Sequence, residues 1–167
     1  MNAPQIRAER AADHAAIFEV HRAAFETDAE ACLVDALRND GSIVLSLIAE
    51  ISSEIVGSVI YSRLLFDGAD QGATALAPVA VKPAWQGRGV GSALIREAHE
   101  RLRSAGERIV LVLGDPEYYE RFGFSRAAAS RLRTPYDGPH LMALALASGG
   151  TSGEVSVTYP PAFAKLG

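Results

Sequence analysis

The chain has 167 residues, 49% of them hydrophobic, 22% charged and 7% aromatic, which suits one globular domain over 1–167 and excludes a collagen-like, coiled-coil or disordered chain. Sixteen Lys and Arg against twenty Asp and Glu leave a net charge of −4, so the overall field attracts neither nucleic acid nor an anionic membrane surface. A single cysteine, Cys32, excludes an intramolecular disulfide and a cysteine-based zinc cage; with no apolar leader and no membrane-length apolar run, the expected compartment is the cytoplasm.

Gln5–Ala8 reads as a short strand. From Ala11 to Ala24 the apolar positions Ile17, Val20 and Ala24 recur three and four apart, predicting an amphipathic helix. Thr27-Asp28-Ala29-Glu30 has the form of a capping box, hydroxyl first and carboxylate three later, opening a second helix through Leu33, Val34 and Leu37 that ends at Asn39-Asp40-Gly41. Cys32 falls on the apolar face of that helix and is expected to be a small core residue. The period then changes to two: Ile43, Leu45, Leu47, Ala49 and Ile51 alternate with more polar neighbours, Ser52-Ser53 turns the chain, and Ile55–Phe66 returns antiparallel. A polar turn from Asp67 to Gly72 leads into a third strand, Thr74–Val81, in which Pro78 removes a ladder donor and so predicts an edge or a bulge.

Val90, Ala93, Leu94, Ala98 and Leu102 define the next helical face, ending near Ser104-Ala105-Gly106. Ile109–Leu113 is an apolar run of buried-strand length, so residues 74–113 form a strand–helix–strand crossover with parallel strands. A helical piece at Pro116–Arg121, an arginine-bearing loop, a strand at Leu141–Leu146, a Ser/Gly/Thr-rich loop and an extended run at Val155–Tyr159 complete the chain. That last run is a candidate for pairing with a second subunit in a homodimer.

The chemistry-bearing stretch is Gln86-Gly87-Arg88-Gly89-Val90-Gly91, between a strand and the first turn of a helix. Glycines at alternate positions admit close backbone approach, and the helix start supplies unpaired N–H groups with the positive end of the dipole. Together these suit an anion, a pyrophosphate above all. The spacing is not that of the dinucleotide fingerprint, and no lysine follows as in a Walker A loop. A tight strand-to-helix turn would use the same glycines without a ligand. No histidine pairs with a carboxylate at ligand spacing and no G-x-S-x-G occurs, so neither a metal site nor a serine hydrolase is expected.

Gln86-x-x-Gly89-x-Gly91 resembles the Q/R-x-x-G-x-G/A signature of the GNAT N-acetyltransferases. It follows the strand ending Leu76-Ala77-Pro78-Val79-Ala80-Val81, and Tyr119-Glu120-Arg121-Phe122-Gly123-Phe124 is similar to the family's Y-x-x-x-G-F element. The resemblance covers about 6–146, leaving 147–167 as a C-terminal loop and short strand. Leu113 to Phe124 is closer still to the YhbS-like branch of that family.

The resemblance implies an α/β fold with a mixed sheet whose central parallel strands splay, and an acetyl-CoA-dependent transfer of acetyl directly to a primary amine, on a small molecule or a protein. It implies that Val79, Ala80 and Val81 face the pantetheine and that Gln86, Gly87, Arg88, Gly89, Val90, Gly91 and Ser92 hold the pyrophosphate, with Lys82 and Arg88 the nearby cations. A backbone N–H at Val79 would polarise the thioester carbonyl, and Tyr119 would be the general acid. Its ordinary pKa of about 10, against about 8.5 for a thiol, makes proton return nearly balanced; the competing reading of Tyr119 and Tyr118 is aromatic packing. Glu30 is a candidate general base, although the capping box accounts for the same carboxylate. Asp115 stands where relatives carry an asparagine, or caps the helix after it; Arg126, Arg131 and Arg133 either reach the CoA ribose phosphate or are solvated. The alternative to an enzyme is a non-catalytic acyl-CoA-binding or sensory module.

Overall fold

In the computed structural model, which describes residues 3–136, 138–148 and 153–166, the first strand β1 (Gln5–Ala8) lies on the edge of a sheet. It is followed by two helices, α1 (His14–Ala24) and α2 (Ala29–Asn39). The turn before α1, Ala11–Asp13, is a 3-10 turn rather than the expected α-helical start. The Asp13 carboxylate accepts the Arg10 N–H at 2.7 Å and pairs with Arg7 at 2.8 Å, which holds the chain in the tighter turn.

The capping box does not form. α2 starts from Asp28 without a side-chain cap, and the Thr27 hydroxyl accepts the N–H of Ala29 at 3.2 Å, so Glu30 is not part of a reciprocal pair. Cys32 is also corrected: Ala31, Leu33, Val34 and Leu37 form the buried face of α2, while Cys32 turns to solvent.

Alternating sequence then produces an antiparallel meander, β2 (Ile43–Ile51), β3 (Glu54–Phe66) and β4 (Ala69–Val81). Both turns have two central residues at positive φ, 51° and 68° at Ser52-Ser53, 51° and 80° at Asp67-Gly68, the geometry that matches the strand twist. Because Asp67-Gly68 closes the hairpin alone, β4 begins at Ala69 rather than Thr74, and 70–72 form a ladder irregularity instead of a turn. Pro78 lies in a second irregularity. Val59 pairs with Val79 and Tyr61 with Leu76, so Ile60 faces both Ala77 and Pro78, a bulge in a central strand.

From β4 the chain passes through α3 (Val90–Ser104) to β5 (Ile109–Leu113), which is parallel to β4 as expected. α4 (Pro116–Tyr119) and a 3-10 turn, Glu120–Phe122, replace the single helical piece expected there. Then come β6 (Leu132–Arg133), β7 (Leu141–Ala145), β8 (Val155–Thr158) and a 3-10 segment, Pro161–Leu166. The sheet runs β1-β2-β3-β4-β5-β7, a mixed α/β arrangement, and β8 pairs with both β3 and β6. Within the chain, Val155 and Ser156 of β8 pair with β6, and Val157 and Thr158 pair with β3. Most of the Ser/Gly/Thr-rich loop, 149–152, falls outside the described residues.

Period-two alternation sends neighbouring residues to opposite faces. Ile48, Ile60 and Leu64 meet Ile17, Leu33, Val34 and Leu37 from α1 and α2, together with Phe163 of the last segment. Leu47, Val59 and Tyr61 meet Leu94, Ile95, Ala98 and Leu102 of α3. Each large aliphatic side chain buried this way contributes about 1.5–3 kcal/mol, and the two layers clamp the sheet so that the C-terminal ends of β4 and β5 are held apart at fixed positions. Among the described residues no helix is long and apolar enough to cross a membrane.

Candidate active site

β4 and β5 pair only from Ala73 to Ala75, opposite Ile109 to Leu111. β4 continues to Val81 and β5 to Leu113 unpaired with each other, so the strands part as expected. Along 76–81, alternate residues turn N–H and C=O groups away from β3 and into this split, where β5 offers no ladder partner.

At the far end of the split the chain turns through Pro83–Trp85 into the glycine stretch. The Gln86 side-chain amide donates to the Val81 carbonyl at 2.9 Å, tying the loop to the end of β4. Gly89, at φ 82°, is the N-cap of α3, and its carbonyl accepts the N–H of Ala93 at 3.0 Å. The first-turn N–H groups of Val90, Gly91 and Ser92 are left without intrahelical acceptors. They border a cavity of about 330 Å³ that Gly87, Gly89 and Val81 also line. Trp85, Tyr118 and Arg121 complete its wall. Arg121, 4.7 Å over the Tyr118 ring, lines this concavity, and Arg88 lies 5.3 Å over the ring of Trp85, a wall residue, so positive charge stands with a helix dipole at one concavity, an arrangement that suits an anion. Lys82 is paired with Glu54 at 3.2 Å; the second cation beside Arg88 is Arg121. Arg126, Arg131 and Arg133 do not line this cavity, and Arg133 pairs with Glu154.

The two tyrosines of the Tyr118-Tyr119 pair face different ways. The Tyr118 hydroxyl stands against the helix start, 3.2 Å from where a Cβ on Gly91 would be. Tyr119 is half-buried, in edge-to-face contact with Tyr118 and Phe124 at 5.0 and 5.9 Å. Burial, with the neighbouring Tyr118 adding to it, pushes its pKa up to about 12. Asp115 caps α4, its carboxylate accepting the N–H of Glu117 at 3.1 Å, which is the capping alternative.

A second cavity, of about 380 Å³, lies where β4 and β5 first part. Ala75, Leu76 and Ala77 line it from β4 and Leu111 to Leu113 from β5, and Tyr136, Tyr159 and Phe163 close it. Glu30, on α2, has Oε2 buried without a hydrogen-bond partner, and α2 packs against the same C-terminal segment that supplies Phe163.

Of the residues singled out in the sequence, Val81 and the stretch from Gln86 to Ser92 are brought to one concavity, Arg88 through its ring contact at the rim. Val79 and Ala80 lie on the split strand beside it, and Tyr119 adjoins Tyr118. Tyr118 and Arg121 were legible in part, since Tyr118 precedes the motif tyrosine and Arg121 follows it by two residues within the same motif, whereas Trp85 carried no signal. Tyr136, Tyr159 and Phe163 carried no signal, since they reach the cavity only through the C-terminal fold-back.

Parallel strands that part beside a glycine-rich helix start, in a mixed sheet covered by helices, give this chain an acyltransferase fold. The model of the acetyltransferase (GNAT) family matches residues 9–124, and the chain belongs to that family and is an acetyltransferase. It is 38% identical over 134 residues, 80% of either chain, to the uncharacterized N-acetyltransferase YhbS of Escherichia coli K12, and 41% identical over 123 residues, 71% of this chain and 68% of the other, to the uncharacterized N-acetyltransferase YjhQ of the same organism. The crystal structure of Escherichia coli YhbS in complex with CoA superposes with a TM-score of 0.90 at 35% identity, over 98% of this chain and 93% of the other. A GNAT family acetyltransferase from Brucella melitensis in complex with acetyl-CoA superposes with a TM-score of 0.82 at 37% identity, over 98% and 99%.

Proposed function

We propose that residues 1–167 form one N-acetyltransferase domain that binds acetyl-CoA in the β4/β5 split and transfers its acetyl group directly to a primary amine. The observation that carries this reading is the split itself, which leads from an anion cradle along unpaired backbone groups. The residues fit the cosubstrate: the cradle is open at Gly87 and Gly89, where a Cβ would meet nothing within 4 Å, and it is lined by N–H groups and arginine rather than carboxylate.

Bound acetyl-CoA supplies a thioester carbonyl and a thiolate leaving group. N–H groups from Gly87 to Ser92 hold the pyrophosphate, Gln86 fixes the loop through Val81, and Arg88 and Arg121 add positive charge. Val79, Ala80 and Val81 offer the backbone groups that orient the pantetheine, and the N–H of Val79 polarises the carbonyl. Glu30 takes the proton of an arriving ammonium. The neutral nitrogen attacks the carbonyl carbon, an N–C bond forms, the C–S bond breaks, and the Tyr119 hydroxyl gives a proton to sulfur. It recovers a proton from the product nitrogen, so one amine and one thioester become one amide and one thiol.

Burial changes the balance expected for Tyr119. A pKa of about 12 opens a gap of roughly 3–4 units to a free thiol. A thiolate expelled beside the buried Tyr119 ring would be desolvated as well, which raises its own proton affinity and narrows that gap. The same burial keeps Tyr119 protonated throughout the neutral range, so the donor is always present.

Two measurements test the reading together. Titration calorimetry with acetyl-CoA is expected to give saturable one-site binding, and a CoA-release assay with a panel of primary amines is expected to give amine-dependent turnover. Binding without turnover on any amine would favour a non-catalytic acyl-CoA module.

A further inference from the structure

The second cavity lies on the other side of the sheet from the cradle. Val81, Trp85, Val90 and Tyr118 of the cradle pack with α3, whereas Ala75, Ala77, Leu111, Tyr136, Tyr159 and Phe163 pack with the layer of α1 and α2, only Leu76 and Val112 of the second cavity's buried lining belonging to the α3 side. The two cavities meet at opposite ends of the β4/β5 split, Val81 at one and Ala77 at the other, roughly 13 Å apart along an extended strand. A ligand in the second cavity thus reaches the split from the face opposite the cradle, as a second substrate must.

Its lining is aliphatic or aromatic throughout. Tyr136, Tyr159 and Phe163 form an edge-to-face series with centroids 4.8 and 5.4 Å apart, and the space they enclose exists because β4 presents only alanine at 75 and 77. Leu113, 42% exposed, stands at the rim. Among the described residues no acidic or basic side chain lines the cavity, so a carboxylate or a second ammonium on the ligand would be desolvated against this lining without a partner.

Resting on the reading of acetyl-CoA in the split, we infer that the acceptor is a small primary amine with an uncharged apolar tail of about aromatic-ring size, the tail lodged among Ala77, Leu113, Tyr136, Tyr159 and Phe163 and the nitrogen turned toward the split. Polyamines, free amino acids and charged peptides are thereby disfavoured. The nitrogen attacks as R–NH₂ and leaves as R–NH–CO–CH₃, with the displaced proton ending on the CoA sulfur. The tail supplies binding that a bare amine lacks, so selectivity resides in kcat/KM rather than in acetyl-CoA affinity.

The test is CoA release, at fixed acetyl-CoA, with methylamine, n-butylamine, 2-phenylethylamine, spermidine and a lysine-containing peptide. The inference expects kcat/KM to rise along the first three, by tenfold or more from methylamine to 2-phenylethylamine, since each methylene in an apolar pocket is worth about tenfold or more. Spermidine and the peptide are expected to lie at or below methylamine. Leu113→Asn, at an exposed rim position that leaves the core untouched, is expected to lower kcat/KM for 2-phenylethylamine several-fold more than it lowers kcat/KM for methylamine. Preference for spermidine or the peptide would overturn the inference and leave the functional reading standing. Indifference to amine size, with octanoyl-CoA a better donor than acetyl-CoA, would overturn it by giving the cavity to the acyl chain. Failure of acetyl-CoA to bind in calorimetry would remove the functional reading itself and this inference with it.

Discussion

The ring of Tyr119 lies so close to Gly114 that a Cβ at residue 114 would stand 2.4 Å from Tyr119 Cε2. Gly114 is itself held to His140, its N–H donating to the His140 carbonyl at 3.1 Å while its carbonyl meets His140 Nδ1 at 3.1 Å. Gly114, just past the end of β5 and held by one backbone and one imidazole bond to His140, therefore limits where the tyrosine ring can be. This contact makes Gly114→Ala a test of Tyr119 that leaves the tyrosine in the sequence. The methyl group must push the ring aside, so turnover is expected to fall with acetyl-CoA affinity nearly unchanged. A mutant that keeps the parent rate would show that the ring's position does not matter to the reaction.

Tyr119→Phe keeps the ring and removes the proton. Single-turnover CoA release is expected to drop by a factor on the order of 10²–10⁴ if this hydroxyl is the general acid. The raised pKa adds a second signature: the parent enzyme's rate should show no alkaline fall from Tyr119 until the approach to pH about 12, beyond the stability limit of most proteins. An unchanged rate in Tyr119→Phe would assign the hydroxyl to packing.

Gly89→Val places a β-branched side chain at φ 82°, a conformation that costs such residues on the order of 1–3 kcal/mol. A Cβ there would meet nothing within 4 Å, so the fold has room for it and only the backbone conformation and the ligand approach suffer. Acetyl-CoA affinity is expected to fall at least tenfold in a folded mutant, read by calorimetry beside a circular-dichroism melt. Equal affinity in the folded mutant would remove 87–92 from the binding surface.

The parts of this site that were legible in the sequence are local ones. Three glycines, a helix face and a proline in a strand report backbone geometry within a few residues, so the cradle, the parallel β4/β5 pair and the bulge at Pro78 could be placed from spacing and resemblance. What was hidden depends on which face a residue takes or on distant pairing. Cys32 lies one residue from buried Ala31 and Leu33, and only the packing of α1 on α2 decides that it faces out. Leu132-Arg133 is too short to read as a strand, yet it pairs with β8 and brings Tyr136, Tyr159 and Phe163 together.

Two buried histidines predict how stability depends on pH. His21 contacts the Ser58 hydroxyl at 3.0 Å through Nε2, and His99 sits edge-on between Tyr61 and Phe124. Burial first, and nearby arginine charge second, lower both to about 4 from 6.5. Above pH 6.5 both are neutral, folded or unfolded, and stability is at its full value. As pH falls from 6.5 to 4 only the unfolded chain takes up these protons, so stability is lost, on the order of 3 kcal/mol per histidine over the window. Below 4 both states are protonated and this loss levels off. Melting temperature is expected to decline between pH 6.5 and 5, above the range in which the carboxylates titrate. His99→Phe, which keeps the aromatic contacts, should reduce that decline by about half; an unaltered slope would mean that His99 is charged in the fold.

The carboxylate of Glu30, which the sequence explains as a helix cap, does not cap α2 in the structure. Asp28 occupies the N-cap position, the Thr27 hydroxyl serves Ala29, and Glu30 Oε2 is buried with no hydrogen-bond partner. A buried acceptor left unsatisfied costs about 1–3 kcal/mol, so the oxygen is not there for stability. Lone pairs free of donors are what a base needs, and α2 packs beside the segment that closes the second cavity. Glu30→Gln should therefore leave the melting temperature within a few degrees while turnover at neutral pH falls by a factor on the order of 10²–10⁴. Raising the pH toward the acceptor's own pKa supplies neutral amine from solution, so the mutant's rate should climb tenfold per unit and converge on the parent's. An acceptor already neutral at pH 7, such as an aromatic amine, should be acetylated by mutant and parent alike. If instead the mutant matches the parent with 2-phenylethylamine at every pH, water takes the proton and Glu30 is not the base.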